Sequence, residues 1–139
     1  MKIASTIVGA LLGFAFIASG LLVLLKLGPQ PPPPPEGSAA AHFMAAFMTT
    51  GYMSFVKVCE VMGGLLVAIP KTRRAGLLVL GPILINILAF HAFVAGGKDL
   101  LSPPLLVLCA MALFLTWVER CAFARFLINK PSDPARTSS

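Results

Sequence analysis

Apolar residues in this chain run in long blocks instead of alternating with polar ones, and the blocks are separated by clusters of charge, proline and glycine. Four blocks stand out: 3–25 between Lys2 and Lys26, 50–69 ending at Pro70, 75–95 between Arg74 and the Gly96-Gly97 pair, and 103–125 opening at Pro103-Pro104. A helix needs about 20 apolar residues to cross a ~30 Å hydrocarbon core, and each block is of that length. Proline is also well suited to the first turn of a helix, as at Pro103. The pattern predicts an all-α polytopic membrane protein with four transmembrane helices.

Between the first two blocks the character changes. The 28–38 segment, GPQPPPPPEGS, carries five consecutive prolines, Pro31 to Pro35. Such a run favours an extended polyproline II strut without internal hydrogen bonds, which must lie outside the hydrocarbon. After it, 39–49 is too short to span but places Phe43 with Phe47 and Met44 with Met48 at helical spacing. A short interfacial or re-entrant helix is expected there. The remaining connections, PKTRR and GGKDLLS, are short enough to make sequential spans antiparallel neighbours. The expected architecture is an antiparallel four-transmembrane-helix bundle forming one domain over 1–130, followed by a disordered cytoplasmic tail at 131–139.

Composition agrees with that reading. The chain has 139 residues, 58% hydrophobic and 12% charged, whereas soluble domains have about 45–50% apolar and roughly 25% charged residues. The net charge of +6 argues for orientation, because the cations sit at the ends of apolar runs and form no aromatic-interleaved basic stripe for nucleic acid. With the N-terminus inside, Lys2, Lys71, Arg73, Arg74, Arg120, Arg125, Lys130 and Arg136 lie on the inner side, against Lys26 and Lys98 outside. The positive-inside rule then puts both termini in the cytoplasm. A cleaved signal peptide ending near Ala39-Ala40-Ala41 is the alternative for the first block, but its apolar run exceeds the usual ~7–15 residues.

Two opposite charges interrupt the second block, in YMSFVKVCEVMGG. Lys57 and Glu60 are three residues apart, hence neighbours on a helix face. At 1.5 Å per residue from Thr50 they lie roughly 10 and 15 Å into the membrane. An ionisable group at that depth costs about 2.5–3.5 kcal/mol unless it faces the protein interior and is paired. It serves either as a structural pair or as a site. Asn86 and His91 reach a similar level on the third block, roughly 13 and 6 Å from its outer end. A cavity shared with Lys57 and Glu60 is geometrically possible, but Asn86 and His91 are about 140° apart around an ideal helix and need not face one direction unless a Pro82 kink turns them. His42 is expected at the interface, where it could roof such a cavity.

Other chemistry is not signalled. Cys59, Cys109 and Cys121 lack a C-x-x-C arrangement and read as small apolar fillers. The two histidines do not have metal-ligand spacing, and no catalytic triad, phosphate loop or nucleotide fingerprint occurs. Gly9, Gly13 and Gly20 on the first block form a small-residue stripe suited to close helix packing.

VKVCEVMGGLLVAI, from Val56 to Ile69, resembles the second-helix signature of DoxX-like membrane proteins, with a Lys three residues before a Glu and then Gly-Gly. RRAGLLVLGPILINILAFHAFV, from Arg73 to Val94, is similar to their third helix. The resemblance implies a small bacterial inner-membrane bundle. It also implies one of two functions. The favoured one is a non-catalytic accessory or assembly subunit, working with other subunits of a membrane complex or as a homo-oligomer. The alternative is a redox-associated subunit, as in the DoxD-type subunit of thiosulfate:quinone oxidoreductase. In the alternative a quinone-like cofactor or ligand occupies the outer half of the bundle near Lys57, Glu60, Asn86 and His91.

Overall fold

The computed structural model describes residues 2–27, 32–97 and 99–128. The expected tail at 131–139, residues 28–31 of the outer loop and Lys98 lie outside the described residues. All regular elements among them are helical: α1 (Lys2–Leu24), α2 (Ala39–Thr49), α3 (Tyr52–Ala68), α4 (Arg73–Ala89) with a π-helical extension Phe90–Val94, and α5 (Pro103–Ile128). Three helical stretches are long and apolar enough to cross a membrane: Lys2–Leu24, Arg73–Val94 and Pro103–Ala124.

The expected span over 50–69 takes a different form. Gly51 caps α3 with φ of 73°, a left-handed conformation that glycine adopts without steric cost. At this elbow α2 and α3 bend by 80°, so together they make a broken span or a re-entrant loop. The 17 residues of α3 cover only about 25 Å. Hydropathy counts Thr50 and Gly51 into a straight span because neither residue interrupts an apolar average.

The short α2 is started by Ser38, whose side chain accepts a hydrogen bond from the Ala41 N–H at 3.1 Å. Ser38→Ala is expected to cost about 1 kcal/mol, read as faster amide exchange confined to the first turn of α2. Unchanged exchange there would remove the cap from the account.

Packing is closest where side chains are smallest. A Cβ on Gly13 would collide with the Gly64 carbonyl oxygen and lie 2.8 Å from the Ala68 Cβ. One on Gly20 would lie 2.6 Å from Val61 Cγ2, and one on Gly76 would strike the Val67 backbone. Thus α1 meets α3 across glycine faces, and α3 meets α4 the same way. The contacts run in opposite sequence order, so each of these pairs is antiparallel. Leu12, Phe16, Val67, Leu77, Leu80, Leu84 and Leu115 fill the core between α1, α3, α4 and α5. Large apolar side chains such as Phe14, Leu65, Ile85 and Trp117 remain exposed on the outside, the distribution suited to an apolar solvent.

α4 stays helical through Pro82, and the departure from α geometry comes later, in the π-helical turn. There the Ala95 N–H donates to the Phe90 carbonyl at 2.8 Å. Gly96 and Gly97, with φ of 68° and 78°, end the segment.

Candidate functional site

The charged pair forms one end of an apolar cavity. On α3, Lys57 Nζ reaches both carboxylate oxygens of Glu60, at 2.9 and 2.8 Å. Glu60 is 3% exposed and the Lys57 side chain 16% exposed. The acid is therefore turned into the protein, and the lysine covers it from the more accessible side.

The cavity, about 300 Å³, draws its lining from three elements: Phe43, Met44 and Phe47 from α2, Met53, Val56, Lys57 and Glu60 from α3, and Asn86, Ile87, Phe90 and His91 from α4 and its π turn. The four polar residues singled out in the sequence, Lys57, Glu60, Asn86 and His91, are thus brought to one cavity. Asn86 and His91 need not point the same way, because Ile87 and Phe90 lie between them on adjacent rungs and an arc of about 140° forms one wall. His42 is exposed and does not line the cavity, so of the two places open to it the roof is not taken; the stacked Phe43 and Phe47 rings, 4.1 Å between centroids, form the α2 side of the lining. Phe90 continues that aromatic layer, 5.1 Å from Phe43.

A second cavity of about 670 Å³ adjoins the first and shares Met44, Phe90 and His91 with it. Its other walls include Pro32 to Pro35, Ser38, Gly96 and Asp99. The described prolines of the polyproline segment therefore border the approach to His91.

Met53, Val56, Ile87 and Phe90 carry no polar signal, and only the α2–α3 elbow and the α3–α4 packing assign them to the wall. Arg73 is a second feature invisible in sequence: it reads as one charge of a loop, yet it starts α4 and is 3% exposed. Its Nη1 lies 3.9 Å from Glu119 Oε1 on α5, while Glu119 Oε2 accepts from Arg74 Nε at 2.8 Å. The three cysteines are free thiols. Among the described residues no three His, Cys, Asp or Glu side chains cluster as a metal site requires.

No family model matches the chain, and no solved structure does. Over 129 residues it is 31% identical to the uncharacterized protein YwoB of Bacillus subtilis (strain 168), an alignment covering 88% of this chain and 80% of the relative. With that identity across most of both proteins, the chain belongs to the same family as YwoB.

Proposed function

We propose that this chain is a DoxX-like bacterial inner-membrane protein, an antiparallel bundle of four spans in which α2 and α3 together make the second. The basic residues Lys2, Lys71, Arg73, Arg74 and Arg120 gather at one end of the helices, against Lys26 at the other. That asymmetry supports cytoplasmic termini.

Within that membrane protein the cavity beside Lys57 and Glu60 takes a small, flat, lipid-soluble ring with oxygen acceptors, of the quinone class. The observation that carries this reading is the meeting of Lys57, Glu60, Asn86 and His91 with three phenylalanines around one 300 Å³ space. Ligand sites of this kind combine an apolar aromatic lining with a few placed polar groups. The Asn86 amide and the Lys57 ammonium can donate to ring oxygens, while the phenyl rings stack on the ring face. A quinone bound there would supply redox capacity, and the chain's own groups would hold and orient it.

A second reading rests on how completely the pair is satisfied. Both Glu60 oxygens accept from Lys57, so the pair can serve to lock α3 within a non-catalytic accessory or assembly subunit. Purification in mild detergent, followed by lipid extraction with absorbance and mass detection, separates the two. Quinone present in wild type and reduced about tenfold in a folded Glu60→Gln variant is the expected result. Equal quinone in both, or none in wild type, defeats the ligand reading. Loss of the variant from the membrane favours the lock.

A further inference from the structure

The opposite end of the helices from the aromatic cavity holds a second polar site. A cavity of about 340 Å³ is lined by Lys2, Ser5 and Thr6 of α1, Pro70, Arg73 at the start of α4, and Val118 and Glu119 of α5. Arg73 is its most buried charged wall, with a side chain 4% exposed. The guanidinium lies along α1 where Gly9 leaves room: a Cβ there would come 3.0 Å from Nε and 3.3 Å from Nη2. Nε and Nη2 are both buried and neither has a hydrogen-bond partner.

The one carboxylate in the cluster does not balance this charge. Glu119 is held by Arg74 at 2.8 Å and approaches Arg73 only to 3.9 Å, beyond hydrogen-bond reach. Three cations, Lys2, Arg73 and Arg74, therefore surround one anion. The N-termini of α1 and α4 also converge here, since α1 begins at Lys2 and α4 at Arg73. These two helix dipoles add positive potential at that point, partly offset by the C-terminal carbonyls of α3, which ends beside them at Ala68. Arg73 thus brings an incompletely paired guanidinium to the wall of a cavity lined by two cations and one anion.

We propose that this cavity binds a phosphate oxyanion whose charge no attached cation cancels, either the headgroup of an anionic phospholipid or free inorganic phosphate, whereas the choline ammonium of phosphatidylcholine cancels that charge. Arg73 supplies the buried charge and Lys2 the mobile ammonium at the rim. The Ser5 and Thr6 hydroxyls both donate to the Lys2 carbonyl, at 3.0 and 2.9 Å, and so present oxygen lone pairs rather than protons. The cations are thus the groups that select the ligand. The site shares no lining residue with the cavity beside Glu60, so its occupancy is independent of the quinone reading.

The test uses the full chain in detergent, with native mass spectrometry of retained lipid and thermal melting. The probes are phosphatidylglycerol, phosphatidylcholine and inorganic phosphate. Wild type is expected to hold an anionic probe with about tenfold preference over phosphatidylcholine. Arg73→Gln should abolish the preference. Lys2→Gln leaves the Arg73 packing in place and should weaken it about fivefold. Lys71→Gln, an exposed neighbour that does not line the cavity, should change nothing. Preference for phosphatidylglycerol with no response to free phosphate assigns the lipid headgroup, and a melting shift with phosphate alone assigns the free ion. Equal retention of the two lipids with no phosphate shift overturns the site, as does a Lys71→Gln loss equal to that of Lys2→Gln. If Arg73→Gln does not fold, the Lys2 and Lys71 comparison decides.

Discussion

Gly13→Val is expected to destabilise the protein by about 3 kcal/mol, at the upper end of the cost of overpacking. Most overpacked sites relax by moving a side chain. At Gly13 the obstacle is backbone, because the new Cβ meets the Gly64 carbonyl oxygen and crowds the Ala68 Cβ. The reverse also holds, since a Cβ at Gly64 would lie 2.8 Å from the Gly13 oxygen. Neither helix can give way without separating α1 from α3 along the whole glycine face. In lipid there is little hydrophobic drive to restore contact, so close packing must hold the pair together. The measurement is the unfolding midpoint in mixed detergent, with Ala10→Val as control. Ala10 is exposed on another face of α1, and its added bulk should change stability by less than about 0.5 kcal/mol. Equal effects of the two substitutions would mean that the glycine face is not what joins the helices.

The glycine face was legible because its stripe on α1 follows helical spacing, although sequence cannot name the partner helix. Pro70, Gly96-Gly97 and Pro103 likewise mark helix limits within a residue or two, because each changes backbone geometry locally. The Lys57–Glu60 pair was readable for the same reason: three residues along a helix fix a neighbour without any tertiary knowledge. A break near residue 50 was readable, between the short helix at 39–49 and the span at 50–69, but the 80° angle between them was hidden, since composition carries no information on direction. The burial of Arg73 was hidden for a different reason. Arg73 and Arg74 are chemically alike in sequence, and only their angular difference on α4 turns one toward Gly9 while leaving the other 63% exposed. The cavity depends on both kinds of information. Its polar residues can be picked out as oddities in an apolar chain, while its apolar wall exists only once α2 folds over α3 and α4.

The second large effect is expected at Lys57. Lys57→Met should cost about 3–5 kcal/mol, because it leaves the Glu60 carboxylate, 3% exposed, without the cation that satisfies both its oxygens. The loss measures the orphaned acid more than the strength of the pair, and the double variant distinguishes the two. Lys57→Met with Glu60→Met places two apolar side chains of similar length in the same space and removes both desolvation penalties. Replacement of a buried ion pair by packed apolar groups is often neutral or stabilising, so the double variant should recover to within about 1 kcal/mol of wild type or exceed it. Such recovery bears on function as well. If the bundle is as stable without the pair, stability alone does not account for two charges placed in an apolar helix, and the weight shifts to what the cavity beside them holds. A double variant no more stable than Lys57→Met would instead make the pair a structural lock, with its geometry irreplaceable by apolar packing.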